Sequence, residues 1–465
     1  MAKNNINNDR TILHIYTLND FHGMIFPSED SAGISKIGKY LIDRKKENKE
    51  STLIISSGDM FQGSAVSNMS KGMVVVSLMN IIGFDAMTIG NHEFDWTIDT
   101  ILKYNDNNTG NGELNCKYLA CNIICKDTGD LAPWAKPYEV INRGKYKIGI
   151  LGMIGSNLEY DIFKPNIEGY EFTDEYKAAK KYVPILRNKE KCDIVILSIH
   201  ADTQNINMKF AELDGDQKID AIINGHTHNA YYGEYNREGC DLPYVQSGCY
   251  GKYIGYIKLV IDNKTKKIID CDAQNIKTIN TCKESSEEIE NEIKKYQEYI
   301  DIANKPIGLI YDDVNRELGG IWASDSLKNT FDADIGICNV GGIRASGFPL
   351  KKGHIITYGD IFEIMPFENE ACLISIKGNE LIKFFKEDGF YYSSNVDVLN
   401  KKIDGNSIDN NKLYKIATLD FIYICEKYPF INGINHIDTN ILFRDVLYNS
   451  AKQNVQKNGM FKLGD

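Results

Sequence analysis

The most constraining feature of this 465-residue sequence is that short apolar segments are each followed at once by a polar cluster. Residues 12–18 lead into Asn19-Asp20-Phe21-His22-Gly23, and residues 52–57 lead into Gly58-Asp59. Between them, residues 33–47 place isoleucine and leucine at helical spacing. An alternation of strand and helix predicts an α/β sheet, in which functional groups lie beyond the carboxyl ends of the strands.

The alternation continues along the first 260 residues. Further helices are predicted at 72–82 and 177–187, and further strands at 86–89, 146–153, 193–199, 221–223 and 254–261. The polar clusters that follow these strands should therefore meet at one rim of the sheet.

One of these clusters, Ile89-Gly90-Asn91-His92-Glu93-Phe94-Asp95, combines three functional side chains. Asn91 offers a neutral oxygen suited to a metal ion, and His92 offers an imidazole. Asp95 is close enough along the chain to orient that imidazole. Taken alone, the stretch is equally consistent with a polar turn in which Asn91 caps the next helix.

The remaining clusters carry metal-ligand side chains at short spacing. The candidates are Asp20 and His22, Asp59, His200, and the pair His226 and His228. Each could be an ordinary turn or surface loop. Five of the eight histidines of the chain nevertheless follow predicted strands of one α/β segment. This concentration predicts a metal site, most simply a pair of ions.

Composition excludes several classes of function. The net charge is −11, and no block of lysine and arginine rises above the acidic background, so we expect no binding of duplex nucleic acid. No apolar run reaches 18 residues, which predicts no transmembrane segment. The polar N-terminus and 11 scattered cysteines predict a cytoplasmic protein, or an exported one if a leader was trimmed. The chain could be a monomer or a homodimer.

Taken together, the motifs resemble those of the calcineurin-like metallophosphoesterases, and the form G-N-H-E-F-D is similar to the 5′-nucleotidase family. The resemblance implies an N-terminal metallophosphoesterase αββα sandwich over residues 1–280. A linker helix over 281–305 and a smaller α/β nucleotide-binding domain over 306–465 would follow. Ser285 and Glu288 predict a capping box at the start of the linker, although a surface helix of the first domain would fit equally well.

The resemblance also implies roles for the candidate residues. Asp20, His22 and His228 would hold one divalent ion (Mn, Zn, Co or Mg), and Asn91, His200 and His226 the other, with Asp59 bridging both. His92 would be a catalytic group positioned by Asp95. The positive charge of such a centre could attract a phosphate dianion despite the negative charge of the protein.

The second domain carries candidate substrate-binding residues. A predicted strand over 333–338 precedes Asn339-Val340-Gly341-Gly342-Ile343-Arg344. This segment resembles the family's nucleotide-binding motif, so Asn339, Gly341 and Arg344 are expected at the substrate. Phe367 resembles the family's base-stacking phenylalanine, although without the family it would be interpreted as a core aromatic.

Two parts of the second domain depart from the family pattern. The family has a glycine-rich loop ending in an aromatic residue near the C-terminus, whereas this chain has Cys425-Glu426-Lys427-Tyr428-Pro429-Phe430. Tyr428 or Phe430 could replace the missing aromatic residue. Arg316 is expected to correspond to a further substrate-binding arginine, although Gly320-Ile321 replaces the usual G-N after it.

The resemblance implies metal-dependent hydrolysis of nucleoside 5′-phosphates to nucleoside and phosphate by a hydroxide held between two metal ions. A 2′,3′-cyclic nucleotide phosphodiesterase or a UDP-sugar hydrolase of the same superfamily is the alternative. A non-catalytic nucleotide-binding protein is disfavoured because every expected ligand is present, together with His92 and Asp95.

Overall fold

A computed structural model describes residues 9–201, 204–425 and 428–463 of the chain. The chain divides into two compact units. The first comprises Met1–Gln62 and Ser67–Tyr296, and the second comprises Gly63–Val66 and Gln297–Asp465. Within the described ranges, no helix combines the length and the apolar character that crossing a bilayer requires.

The first unit contains fourteen strands and seven complete α-helices among the described residues, together with part of an eighth helix, Ala65–Met69, whose first two residues belong to the second unit. The strands are β1 (Arg10–Thr17), β2 (Thr52–Ser56), β3 (Ala86–Thr88), β4 (Tyr118–Leu119), β5 (Ile123–Cys125), β6 (Tyr138–Arg143), β7 (Tyr146–Ile154), β8 (Tyr170–Phe172), β9 (Ile194–His200), β10 (Ala221–Gly225), β11 (Ala230–Tyr235), β12 (Leu242–Ser247), β13 (Tyr253–Asp262) and β14 (Ile268–Lys277). The helices are α1 (Ile34–Glu47), α2 (Ala65–Met69), α3 (Met73–Ile82), α4 (Ile98–Lys103), α5 (Glu175–Pro184), α6 (Gln204–Ala211), α7 (Thr278–Thr281) and α8 (Glu287–Lys294).

Twelve of these strands form two six-stranded sheets. The orders are β14-β13-β1-β2-β3-β4 and β11-β12-β10-β9-β7-β6. Strands β1 to β4 run parallel to one another, as do β7, β9, β10 and β12. The continuously buried strands β2, β9 and β10 are typical of parallel sheets covered on both faces.

The two sheets pack face to face through branched aliphatic side chains. Ile15 and Ile55 of the first sheet and Ile150 and Ile196 of the second belong to one buried cluster. On the outer face of the second sheet, α5 buries Ala179 and its neighbours in a separate cluster. Helices α1 and α3 contact each other, and α1 also contacts β2 of the first sheet. The predicted αββα sandwich is confirmed.

The second unit is a smaller α/β assembly. Its strands are β15 (Pro306–Leu309), β16 (Ile335–Asn339), β17 (Ile355–Thr357), β18 (Glu370–Lys377), β19 (Phe390–Tyr392), β20 (Val396–Asp397), β21 (Lys402–Ile403), β22 (Asn406–Ser407), β23 (Leu413–Leu419) and β24 (Ile434–Leu442). Its helices are α9 (Gln297–Ala303), α10 (Arg316–Thr330), α11 (Tyr358–Ile364), α12 (Gly378–Phe384), α13 (Asp420–Tyr423) and α14 (Phe443–Asn458). The main sheet has the order β19-β16-β23-β18-β24.

The segment between the two units differs from its prediction. In place of one helix over 281–305, the structure has α8 and α9, which are separate helices. Ser286, and not the predicted Ser285, caps α8, since its side chain accepts from the backbone N–H of Ile289. The α8 helix is part of the first unit, where it packs against α1 and α3.

The contact of α8 with the first unit predicts a measurable loss of stability. Ile289 is fully buried in that contact. We expect Ile289→Ala to lower the free energy of unfolding by about 2–4 kcal/mol, because the truncation leaves a cavity. Urea unfolding measures the change. The matched control is Ile269→Ala, whose side chain on β14 is 42% exposed, and which should change stability by less than about 1 kcal/mol. Equal effects of the two substitutions would contradict the packing of α8.

Candidate functional site

The structure gathers all seven predicted metal-ligand residues of the first unit at the carboxyl ends of its parallel strands. Three elements of the first sheet and two of the second supply them. In chain order they are Asp20 and His22 after β1, Asp59 after β2, Asn91 after β3, His200 at the end of β9, and His226 and His228 after β10.

The first group of side chains comprises Asp20, His22 and His228. Their potential ligand atoms all lie within 4.8 Å of one another. The Nε2 atoms of His22 and His228 are 3.0 Å apart, and Nε2 of His228 lies 3.5 Å from Oδ1 of Asp20. Two imidazole nitrogens this close must share a proton or a cation, because two lone pairs facing each other repel.

The second group comprises Asp59, His200 and His226, whose potential ligand atoms are also within 4.8 Å of one another. The oxygen Oδ1 of Asn91 extends the group. It lies 3.1 Å from Nε2 of His200 and 3.0 Å from Nδ1 of His226. Oxygen and imidazole nitrogen are donor atoms that divalent transition metals accept.

Asp59 lies between the two groups. Its Oδ2 atom is 3.1 Å from Nε2 of His200 in the second group and 4.0 Å from Nε2 of His22 in the first. That oxygen is buried and lies among imidazoles of both groups. A buried carboxylate requires a positive charge nearby, which a protonated imidazole or a metal cation can supply.

Backbone carbonyl groups orient two of the imidazoles. Nδ1 of His22 lies 2.8 Å from the carbonyl oxygen of Gln62, and Nδ1 of His200 lies 2.6 Å from that of Ser57. Since a carbonyl only accepts, Nδ1 carries the proton in both rings. Nε2 of each ring is therefore left to face the centre, as metal-ligating histidines require.

The loops that carry these residues are tightly wound. Positive φ angles, between 49° and 88°, occur at five of the seven positions: Asp20, His22, Asp59, His226 and His228. Non-glycine residues rarely adopt this left-handed region, and such strain concentrates at functional sites. Gly90 permits one close approach, since a Cβ there would lie 2.2 Å from Oδ1 of Asp59.

Burial and neighbouring charges both shift the pKa values of the ionisable groups in the centre. Burial raises the pKa of Asp20 to about 7, opposed by His200. Burial also acts to raise the pKa of Asp59, but His200 and His92 outweigh it and hold that pKa well below its usual range. Burial lowers the pKa of His200, yet Asp59 reverses the direction and raises it to about 9. Without a metal, the centre therefore retains a proton between His200 and Asp59.

These observations fit divalent cations. The donor set consists of carboxylate, amide oxygen and imidazole. A shared cation would relieve the repulsion between the facing nitrogens of His22 and His228 and would compensate the charge of Asp59. The structure offers two candidate groups to hold them.

His92 and Asp95 form a pair beside the centre. Nδ1 of His92 lies 2.9 Å from Oδ2 of Asp95, which places the ring proton on Nδ1. The His92 ring centroid is 5.2 Å from that of His22. The side-chain amide of Asn166 donates to the carbonyl oxygens of Phe94 and Asp95, and so fixes the turn that carries the pair.

Glu93 is a site residue to which the sequence analysis assigned no role. Its buried carboxylate accepts hydrogen bonds from the backbone N–H groups of Asp59, Met60 and Gly90, at 2.9, 2.8 and 2.7 Å. Glu93 therefore joins the loops that follow β2 and β3. Burial and the nearby Asp59 raise the pKa of Glu93 to about 7.

Tyr250 is a second residue that the sequence analysis missed. It follows β12 with a φ of 58°, and its backbone N–H donates to the carbonyl of Asp20 at 2.8 Å. Its ring centroid lies 5.6 Å from that of His22 and 5.4 Å from that of His228. Tyr250 thus packs against the two imidazoles of the first group.

The second unit brings several of the predicted substrate-binding residues together. Asn339 is the last residue of β16. A Cβ on Gly342 would lie only 2.7 Å from Oδ1 of Asn339. The Asn339 side chain therefore lies over the adjoining turn, which contains Gly341 and Gly342. The Arg344 guanidinium carbon lies 5.8 Å from the ring centroid of Phe367. Arg344 and Phe367 are therefore neighbours.

Arg316, the first residue of α10, is directed at the same turn. Its Nε donates to the carbonyl of Ile343 at 2.8 Å, and its Nη2 donates to that of Val340 at 2.7 Å. These donors hold the backbone of the turn. Arg316 is thus a support of the Asn339–Arg344 segment in this structure, in addition to being a candidate for substrate contact.

The structure separates the two aromatic candidates near the C-terminus. Phe430 is fully buried, with its ring centroid 4.6 Å from that of Phe384, so the expectation that it could stack on a base is wrong. Tyr428 is only partly buried and packs against Phe390. Glu426 and Lys427 of the same segment lie outside the described residues.

Comparison with known families agrees with the fold and the motifs. Residues 13–230 match the calcineurin-like phosphoesterase family, and residues 316–427 match the C-terminal domain of 5′-nucleotidases. The chain is therefore a calcineurin-like phosphoesterase. Proteins of this class are phosphoric ester hydrolases. The second domain of this chain makes it a member of the 5′-nucleotidase family.

Individual relatives have different names. Endonuclease YhcR of Bacillus subtilis (strain 168) is 28% identical over 458 residues, covering 88% of this chain but only 37% of that protein. The apyrase of Tabanus yao is 27% identical over 430 residues, covering 80% of this chain and 73% of the apyrase. The crystal structure of the 5′-nucleotidase precursor from Thermus thermophilus has a TM-score of 0.79 at 19% identity, covering 95% and 96% of the two chains.

The contacts of Glu93 predict that both of its acceptor oxygens are needed for activity. Glu93→Gln keeps the size of the side chain but replaces one acceptor oxygen by an NH₂ group, so at least one of the three backbone donors loses its acceptor. We expect phosphate release to fall about 10- to 100-fold, as for other residues that hold ligand loops. The control is Glu288→Gln on the exposed face of α8. Full activity of Glu93→Gln would show that the two loops hold their positions without this carboxylate.

Proposed function

We propose that this chain hydrolyses nucleoside 5′-phosphates to nucleoside and phosphate at a centre of two divalent cations. The observation that carries the proposal is the position of Asp59 between two groups of ligand side chains, with the His92–Asp95 pair beside them. A single structural ion would not need two such groups. Two adjacent cations can stabilise both the attacking and the leaving oxygen of an in-line displacement at phosphorus.

The proposed assignment of ligands follows the two groups. Asp20, His22 and His228 would hold one ion, and Asn91, His200 and His226 would hold the other, with Asp59 shared. When bound, two such ions polarise phosphoryl oxygens and lower the pKa of water, which supplies a nucleophile at neutral pH. Binding would also displace the proton between His200 and Asp59, so the affinity for metal should rise with pH.

His92 supplies the proton chemistry that the protein itself contributes. Because Asp95 accepts from Nδ1, Nε2 is the ring nitrogen directed away from that carboxylate. A protonated His92 can donate from Nε2 to a phosphoryl oxygen or to the departing 5′ oxygen of the nucleoside, and Asp95 stabilises its positive charge. The side chain of Asn166 keeps the pair in place.

The second unit supports recognition of a nucleotide. Asn339 and Arg344 offer hydrogen-bond donors, and Phe367 and Tyr428 are partly exposed aromatic rings on which a base can stack. Arg344 has a buried Nη2 atom without a hydrogen bond in the described structure. A polar substrate group would satisfy that donor.

The relatives differ in what their names say they act on, so substrate class is the part of the proposal that needs direct measurement. An apyrase and an endonuclease resemble this chain in sequence, and a 5′-nucleotidase precursor resembles it in fold. The net charge of −11 disfavours a long polyanionic substrate for this chain. We therefore favour a mononucleotide, with a cyclic nucleotide or a UDP-sugar as the rival substrates.

The test is hydrolysis of a substrate panel in the presence of manganese, zinc, cobalt or magnesium, monitored by phosphate release for the monoesters and by chromatography of the products for the cyclic nucleotide, UDP-glucose and DNA. The panel contains AMP, GMP, UMP, ADP, a 2′,3′-cyclic nucleotide followed by its monoester product, UDP-glucose, ribose 5-phosphate and a DNA oligonucleotide. We expect the nucleoside monophosphates to be turned over with the highest kcat/KM. Turnover confined to cyclic or sugar nucleotides, or to DNA, would contradict the proposed substrate class.

The proposed role of His92 predicts a loss of kcat in His92→Ala. Removal of a general acid costs about 10²- to 10⁴-fold in rate. The matched control is His354→Ala, because His354 also pairs with an aspartate, Asp360, at 3.1 Å but lies in the second unit with a half-exposed side chain. The control should keep the wild-type kcat. A His92→Ala variant as active as the control would exclude His92 from the reaction.

A further inference from the structure

Arg444 is a buried arginine that no step of the proposed reaction uses. It lies in the first turn of α14 and is 6% exposed. Its Nη1 atom is directed at three consecutive backbone carbonyl oxygens, those of Met365, Pro366 and Phe367, at 3.5, 3.2 and 3.2 Å. The Arg444 side chain therefore contacts the backbone of all three residues of the segment 365–367.

The same guanidinium also contacts the helix that precedes this segment. Its central carbon lies 3.9 Å from the ring centroid of Phe362, which is buried in α11. This is the geometry of a cation–π contact. Arg444 thus fixes the segment relative to α11, since it contacts both at once.

Burial of the Arg444 guanidinium is unfavourable in free energy, which argues for a role beyond filling space. Taking a guanidinium out of water is costly even when nearby groups compensate its charge. Burial lowers the pKa of Arg444, and the neighbouring Tyr358 and Glu368 offset only part of that effect. A leucine or methionine would fill a similar volume at lower cost.

The segment held by Arg444 connects two candidate substrate-binding side chains. The backbone N–H of Arg344 donates to the carbonyl of Ile364 at 2.9 Å, one residue before the segment begins. The guanidinium carbon of Arg344 lies 5.8 Å from the Phe367 ring centroid. A shift of the segment would therefore move the aromatic ring and disturb its contact with Arg344.

We propose that Arg444 is a positioning residue that holds the Phe367 ring where a nucleobase can stack on it, and so sets the affinity for the nucleoside part of the substrate. The inference rests on the proposed nucleotide specificity. Arg444 itself touches no substrate. Its effect passes through the backbone of residues 365–367.

The first measurement is binding of adenosine and uridine by equilibrium dialysis to the full chain. Nucleosides lack phosphate, so their binding reports the base site alone. We expect Arg444→Met to weaken nucleoside binding about tenfold, the order of one lost stacking contact. Arg444→Lys retains the charge and part of the hydrogen bonding, so it should recover much of the loss, and it remains informative if Arg444→Met does not fold.

The matched control is Lys415→Met. Lys415 also holds backbone carbonyls, those of Phe331 and Asp332, at 2.7 and 3.1 Å in the same unit. This control should lower stability without changing nucleoside affinity. In AMP hydrolysis, Arg444→Met should raise KM about tenfold with kcat changed less than about twofold, which a general loss of folding would not produce.

The outcomes separate this inference from the proposed function. If the wild type binds nucleosides and both Arg444 variants bind them with the same affinity, the role of Arg444 is overturned. The nucleotidase proposal is then unaffected. Equal losses in Lys415→Met and Arg444→Met overturn the role of Arg444 as well, because the effect would then be general. A wild type that binds neither nucleoside overturns it too, whereas hydrolysis of AMP is measured independently and decides the proposed function.

Discussion

The carboxylate of Asp59 is the group on which the rest of the site depends. It is buried at the carboxyl end of β2, within 4.0 Å of imidazoles from both groups of candidate ligands. A second buried carboxylate, that of Asp20, belongs to the same centre. Two carboxylates in a protein interior require compensating positive charge. The imidazoles supply part of it, and divalent cations would supply the remainder.

The fold meets this requirement because the carboxyl ends of its parallel strands bring the ligand side chains to one rim. Parallel strands of two packed sheets end near one another, so residues that are far apart in the sequence, such as His22 and His228, become neighbours. The loops then turn sharply, which explains the left-handed backbone at Asp20, Asp59 and His226. Glu93 holds two of these loops together through backbone N–H groups. In the second unit Arg444 acts in a comparable way through carbonyl groups.

The alternation of strands and helices was sufficient to predict an α/β sheet with its polar clusters gathered at the carboxyl ends of the strands, whereas the division into two packed sheets was implied only by the family resemblance. The sequence was not sufficient for Glu93 and Arg444, whose partners are backbone groups that every residue carries. The cap of α8 was assigned to Ser285 and not Ser286, since adjacent serines are equivalent in a pattern. Phe430 and Tyr428 looked alike for a similar reason, because composition does not reveal which aromatic ring is buried.

The most direct test of the central claim is the number of metal ions bound by the chain. Metal-stripped protein is titrated with manganese in a calorimeter, and the variants His22→Ala and His200→Ala are titrated alongside. The account predicts two ions per chain for the wild type and the loss of a different one in each variant. A wild type that binds one ion, or two variants that lose the same ion, would contradict a centre built from two groups around Asp59.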